Sequence, residues 1–516
     1  MQIRLAKPTV FRFADDMTLD FFEDELQQAF PCKLLETENV ALTYFDTFDW
    51  RLYRNNFVLL HNGKRYELRT IADQKIVAAF NSETIVQLGF WREFPSPELQ
   101  QILRPVLDIR AAQPIFVLQR ICKKYALLNK DEKTVLRLQL EYNASPVASG
   151  DDQKLCFLHI NPVRGYDDEL AKLTFWLEKA GLRQIASNFN VIASQFSLRP
   201  PGEYSSKFNL QLSKENSVGE TLQIIFRDLL SVIRQNENGV RDDIDTEFLH
   251  DFRVAIRRTR SALSQIKGVL SDEDAAYWKK QFSEVGGMTN RLRDLDVYLL
   301  KEEDYLALAP ESLVAGLKPV FRSLASDRKK EHRKIAEWLN SEKYRAVMRE
   351  WEAFLDKDDS FTQGARAAKV VQKTASQFIY KKYLKILRNG KRLDARSPDQ
   401  ELHDLRIECK KLRYLLEFFK SLYPEKEISQ MIQQLKLLQE NLGDFNDLYV
   451  QQQDLARLLA KAPENPSDIK VSAAAIGGLI GILYQRQLQV RLNFSKVFAR
   501  FGRKKSVSMF EKLFAA

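Results

Sequence analysis

The stretch FLHDFRVAIRRTRSAL, residues 248–263, returns as ELHDLRIECKKLRYLL at residues 401–416. In the first copy His250, Arg253, Arg257 and Arg260 stand at offsets 0, 3, 7 and 10. In the second, 153 residues later, His403, Arg406, Lys410 and Arg413 stand at the same offsets. An α-helix turns about 100° per residue, so these positions gather within an arc of roughly 80°. Each copy therefore sets an imidazole and three cations along one helix face. The opposite face is apolar: Phe252, Ile256, Thr259 and Leu263 in one copy, Leu405, Cys409, Leu412 and Leu416 in the other. The dibasic pairs Arg257-Arg258 and Lys410-Lys411 repeat as well. Two such faces from one duplicated unit point to a partner that is anionic and either long or highly charged.

A further pair of motifs widens the duplication. Arg293-Asp294-Leu295-Asp296-Val297 starts 43 residues after His250, and Gly443-Asp444-Phe445-Asn446-Asp447 starts 40 after His403. Each is expected to follow a further amphipathic helix. From residue 218 onward the periodicity is helical nearly to the end, as in VGETLQIIFRDLLSVIRQNE and EKEISQMIQQLKLLQENLGDFNDL. Strand signals are nearly absent there. The expectation is an all-α domain over 218–516, built from two related helical bundles.

Residues 1–200 read differently. ENVALTYFDT, FVLLHN, YELRTI, KIVAAF and VLRLQLEY alternate as strands, with turn signals such as Asn62-Gly63 between them. Helical periods occur at DDMTLDFFEDELQQAF and DDELAKLTFWLEKAGL, the latter closing on Gly181 as a C-cap. This predicts an α+β domain with an antiparallel, barrel-like sheet. A linker over 201–217, starting within Pro200-Pro201-Gly202, separates the two domains.

Composition narrows the class. The chain has 516 residues, 29% charged and 45% hydrophobic, the profile of a soluble globular protein of more than one domain. Its net charge of +10 is unevenly placed. Residues 1–205 hold 25 lysines and arginines against 26 acids; the remainder holds 54 against 43. The basic character belongs to the part with the repeat, and such asymmetry speaks of partners rather than fold. Cys32, Cys122, Cys156 and Cys409 form no C-x2-C pair, which argues against a disulfide framework and a zinc site. The start, MQIRLAKPTVFRF, has no apolar core of a secretory leader. The run Ala473–Tyr484 is too short to cross a bilayer and reads as a buried helix. A cytoplasmic location without membrane attachment is expected. No metal or other cofactor is expected, and nothing in the sequence sets an oligomeric state.

The chemistry of the basic faces favours phosphate. Arginine offers a planar fork that matches phosphate oxygens, and lysine adds a point charge. Histidine serves as a neutral donor or takes a proton beside an anion. Cations crowded on one helix repel each other, and a bound polyanion removes that repulsion. A solvated basic face is the competing reading for one such helix; recurrence of the same types at the same offsets argues against it. The histidines have a second reading, as structural groups bonded to a neighbouring helix.

The region from about 205 to 516 resembles the CHAD domain, the "conserved histidine α-helical domain". The resemblance rests on LHDFRVAIRRTRSAL, LRDLDVYL, LHDLRIECKKLRYLLEFF and LQENLGDFNDL, in that order. It implies two helical bundles related by a pseudo-twofold axis and a basic groove that binds inorganic polyphosphate. The family's positions carry over to His250, Arg253, Arg257, Arg258 and Arg260, and to His403, Arg406, Lys410, Lys411 and Arg413. Location at polyphosphate granules is a further expectation.

The N-terminal region more weakly resembles the CYTH domain, a triphosphate tunnel fold, through YFDTFDWRLYRNNFVL, REFPSPEL and INPVRGYDDELAKLTFWLEKAGL. That family opens with Glu-x-Glu-x-Lys, where this chain has Gln2, Arg4 and Ala6. A later strand that normally carries a metal-binding Glu reads Leu158-His159-Ile160-Asn161. Hydrolysis in that fold needs carboxylates to hold divalent ions, so the expectation is a degenerate domain and no enzyme. Arg65, Arg69, Arg120 and Lys124 remain as candidate tunnel cations, with ordinary surface charge as the other reading. Two rival functions stand beside polyphosphate binding. One is a metal-dependent tri- or polyphosphatase. The other is a nucleic-acid binder, disfavoured because no zinc finger, RNP or helix-turn-helix signature is present.

Overall fold

The computed structural model describes residues 9–14, 17, 19–85, 89–146, 154–394, 396–460 and 466–515. Gln2, Arg4 and Ala6 lie outside the described residues. Internal contacts divide the chain into two units, residues 1–205 and 206–516.

The first unit is built on a long antiparallel sheet. Its elements are β1 (Thr9–Arg12), α1 (Leu19–Ala29), β2 (Cys32–Thr47), α2 (Arg51–Arg54), β3 (Phe57–His61), β4 (Arg65–Thr70), β5 (Ile76–Asn81), α3 (Pro97–Leu107), β6 (Ala112–Leu128), β7 (Thr134–Ala144), β8 (Lys154–Pro162), α4 (Asp167–Lys179), β9 (Arg183–Ile185) and α5 (Asn188–Phe196). The described strands run in the order β5-β4-β3-β2-β6-β7-β8-β1-β9. Strands sit about 4.8 Å apart, so in a flat sheet β3 and β8 would be roughly 19 Å from each other. Yet Leu60 of β3 and Phe157 of β8 share one core cluster with Phe189 and Ile192 of α5. The sheet therefore curls around α5, which makes it barrel-like. Gly181 ends α4 with φ +88°, the left-handed value that glycine adopts without strain.

The second unit is helical. One half holds α6 (Val218–Arg241), α7 (Thr246–Gln265), α8 (Asp272–Met288), α9 (Asn290–Leu300), α10 (Glu302–Leu308), α11 (Glu311–Leu339) and α12 (Glu342–Asp356). The other holds α13 (Val371–Gly390), α14 (Asp399–Phe418), α15 (Glu425–Ala460), α16 (Pro466–Phe501) and α17 (Lys504–Phe514). Helices α6 and α7 lie side by side, as do α13 and α14, and α15 lies against both α14 and α16. The halves share a core in which Leu295 and Phe321 meet Leu455 and Leu479.

A pseudo-twofold axis relates the halves. Val218 N donates to Lys369 O at 2.9 Å, and Val371 N donates to Asn216 O at 3.0 Å. Adding 153 to the first pair's donor and subtracting it from the acceptor gives the second pair. Thr221 and Thr374, also 153 apart, each return a hydroxyl to the carbonyl four residues back. Ser217 and Val370 themselves pair antiparallel, as equivalent residues must across a twofold. Ser217 also caps α6 in a reciprocal box with Glu220.

The second motif pair sits differently in the two halves. In the first it lies on α9, after the separate helix α8, as expected. In the second the same region is the middle of the unbroken α15. The break falls at Thr289, whose hydroxyl donates to Gly286 O at 3.0 Å and competes with the helical ladder. The equivalent position on α15 is Leu442, which offers no such group. Ala473–Tyr484 lies within α16, buried on one side through Ala475, Ile476, Leu479 and Leu483, while Tyr484 is exposed. No described helix is long and apolar enough to cross a membrane.

Candidate functional site

Both basic motifs are helical because their apolar residues are fully used. Phe252, Ile256, Thr259 and Leu263 of α7 are buried, as are Leu405, Cys409, Leu412 and Leu416 of α14. Asp245 caps α7 by accepting from Glu247 N and Phe248 N. Burying one face aims the other, and α7 packs directly against α14. Gln265 Nε2 donates to Lys411 O at 3.3 Å across that contact.

Arg257 is the centre of the cluster. It is exposed, and its charge acts on Arg253 and Arg293 in its own half and on Arg406 and Lys410 in the other. Burial, then the charges of Arg406 and Arg257, push the Lys410 ammonium down to about 8. Burial and Arg257 push the Arg253 guanidinium down to about 10. Burial also lowers Arg406, with Asp447 opposing and Arg257 assisting. Burial is the larger cause in each case, and the neighbouring cations add to it.

The cations are braced rather than loose. Arg253 Nη1 donates to Gly286 O at 3.2 Å and Thr289 Oγ1 at 2.5 Å, and Nη2 donates to Asn290 Oδ1 at 2.9 Å. These are the C-terminal carbonyl end of α8 and the first turn of α9, so a helix end helps to hold the charge. Arg406 pairs with Asp447 at 3.1 Å, and His403 Nδ1 meets Asn446 Oδ1 at 2.5 Å. Arg413 lies 3.2 Å from Glu417 and also repels Lys410. Arg260 and His250 are half-buried on the same face of α7.

Two predicted residues turn elsewhere. Arg258 and Lys411 stand about 120° round their helices from the centre of the motif face. Arg258 donates to Ser206 O at 2.6 Å and pairs with Glu417 at 3.0 Å. Lys411 pairs with Glu408 at 3.2 Å. The structure adds Arg293 to the cluster. Under the 153-residue register its counterpart is Asn446, and Asp294 answers to Asp447. The Arg-Asp start of the second motif was its only mark in the sequence.

In the N-terminal unit, the four candidate tunnel cations are all ion-paired within the unit. Arg65 and Arg69 both pair with Glu67, which is buried. Arg120 lies 3.4 Å from Glu141, and Lys124 reaches Glu36 at 2.9 Å and Glu38 at 3.2 Å. Burial raises the Glu141 carboxyl, but Arg120 and His159 outweigh it and hold the group well below the carboxylate range. Asn161 stands on β8 opposite Arg137 of β7. Among the described residues no three His, Cys, Asp or Glu side chains converge as metal ligands.

A duplicated helical domain with a cross-repeat cluster of cations defines the class. Residues 224–456 match the family described as the CHAD domain. The structure is similar to the crystal structure of the CHAD domain from the plant Ricinus communis, at 25% identity and a TM-score of 0.50, covering 58% of this chain and 96% of that one. PptA from Streptomyces chartreusis matches at 15% identity and a TM-score of 0.44, over 55% of this chain and 99% of that one. No curated protein matches. The family matched over residues 224–456 is associated with polyphosphate binding.

Proposed function

We propose that this protein binds inorganic polyphosphate without cleaving it, along a basic groove formed by the motif faces of α7 and α14. The observation that carries this reading is the crowding of Arg253, Arg293, Arg406 and Lys410 around Arg257; burial first, and the Arg257 charge beside it, lower the basicity of those four before any ligand arrives. A polyanion repays that strain, and a long one repays it in both halves at once. His250, Arg260, His403 and Arg413 extend the face. Arginine forks suit phosphate oxygens, and electrostatic attraction of this kind needs no base recognition. Among the described residues no three His, Cys, Asp or Glu side chains converge there to hold a metal ion for phosphoryl transfer. The protein is cytoplasmic in this reading and gathers where polyphosphate is stored.

Competition tests the reading. Labelled long-chain polyphosphate is bound and displaced with unlabelled polyphosphate or single-stranded RNA of equal total charge. Polyphosphate should displace at least tenfold better. Equal displacement would favour a general nucleic-acid binder instead. The same protein, incubated with triphosphate, ATP and polyphosphate in Mg²⁺ or Mn²⁺, should release no phosphate above background. Turnover that disappears on Glu67→Gln or Glu141→Gln would establish a phosphohydrolase.

A further inference from the structure

A second group of cations belongs to one half alone. Lys381, Lys382, Lys385 and Arg388 of α13 stand, in the 153-residue register, where α6 carries Asp228, Leu229, Val232 and Gln235. With Lys267, Arg366 and Lys411 they line a cavity of about 1080 Å³, with Phe514 and Ala515 also on its wall. Lys411 and Glu408 face this cavity from the side of α14 turned away from His403, Arg406 and Lys410.

The cavity has a fixed floor and unpaired walls. Glu408, only 8% exposed, accepts from Lys382 at 2.7 Å and lies 3.3 Å from Lys385 and 3.2 Å from Lys411. Burial pushes its carboxyl up, but Lys382 and Lys411 outweigh burial and hold it at about 2. That one acid is shared by three ammonium groups. Lys267, Lys381 and Arg388 make no ion pair with any described carboxylate, and Arg366 spends its guanidinium over the Phe378 ring at 5.3 Å. Seven cations thus surround one described acid in a concave space. Lysines on long stems impose no single geometry and suit an anion with several oxygens.

We propose that this cavity is a separate binding site for a compact oligophosphate, free or as the tail of a nucleotide. It does not depend on the reading of the motif faces, since Lys381, Lys385 and Arg388 have no counterparts in the duplication.

Isothermal titration calorimetry on the full chain at low salt tests it, with tripolyphosphate and ATP as separate probes. Lys381→Ala/Lys385→Ala/Arg388→Ala changes exposed side chains only and should weaken tripolyphosphate at least tenfold. Arg253→Ala/Arg257→Ala/Arg406→Ala/Arg413→Ala should weaken it less than threefold. If ATP binds with the same dependence on the cavity residues, the site accepts a nucleotide tail; if tripolyphosphate alone binds, the ligand is inorganic. Lys385→Gln/Arg388→Gln keeps side-chain bulk and repeats the test should the triple variant unfold. No binding of either probe, an unaffected cavity variant, or comparable losses in both variants would overturn the separate site.

Discussion

Lys410 is the residue whose chemistry is most exposed to test. With its ammonium pushed down to about 8, it is protonated below that pH and loses charge above it. A phosphate beside it favours the charged form, so binding above pH 8 must take up a proton. Polyphosphate affinity should therefore be flat from pH 6 to 7.5 and fall by up to about tenfold per pH unit beyond 8. Lys410→Arg stays charged throughout and should remove the decline. A parallel decline in wild type and variant, read by calorimetry, would exclude Lys410 as the titrating group. The acid partner is equally telling. Asp447 pairs with Arg406 and is more than half exposed, so the pair is worth about 0.5–1 kcal/mol. Asp447→Asn frees a cation for ligand and should raise affinity roughly two- to fivefold by that energy. Unchanged or weakened binding would mean that Asp447 serves mainly to aim Arg406. Most of the cluster was legible at this scale because residue types recur at equal offsets. Arg293 was not, because its counterpart is Asn446 and the duplication there preserves position but not charge. Nor were Arg258 and Lys411 separable from their neighbours until the partners Glu417 and Glu408 were placed.

Helices and strands carry a different lesson. The helices of the second unit follow from periodicity, and the halves meet through backbone bonds between equivalent residues, Ser217 against Val370. Close approach sets some of their sequence. A Cβ on Gly239 of α6 would lie 2.1 Å from the ring of the buried Phe248. Gly239→Ala should then cost about 1–3 kcal/mol of overpacking, despite alanine's better helix propensity. Urea unfolding gives the answer: stability equal to or above wild type would show that the α6–α7 contact relaxes freely. The sheet was harder to read. β6, its longest described strand, was missed because Arg120, Lys123 and Lys124 interrupt its alternation. Their partners Glu141, Glu23, Glu36 and Glu38 lie far off in sequence, so the charges look like surface until the strands pair. Each second motif was expected to follow a further helix; that helix is separate before α9 and continuous with the motif in α15. One threonine hydroxyl, at Thr289, decides between them.

At the scale of the molecule, the two units treat charge in opposite ways. The N-terminal unit pairs Arg65, Arg69, Arg120 and Lys124 with its own carboxylates and is close to neutral. The helical unit concentrates an excess of eleven positive charges and leaves many of them pressed together. The first arrangement stabilises a fold; the second leaves repulsion that, under the proposed function, an anion would relieve. The most direct test is titration of long-chain polyphosphate into the full chain and into Arg253→Ala/Arg257→Ala/Arg406→Ala/Arg413→Ala over a range of salt. Wild type should show log affinity falling linearly with log salt, with a slope near −0.7 per phosphate neutralised as for single-stranded nucleic acid. The variant should keep its helical circular dichroism and lose most of both the affinity and the slope. A folded variant that binds as tightly as wild type, with the same salt dependence, would contradict the placement of the polyphosphate site on α7 and α14.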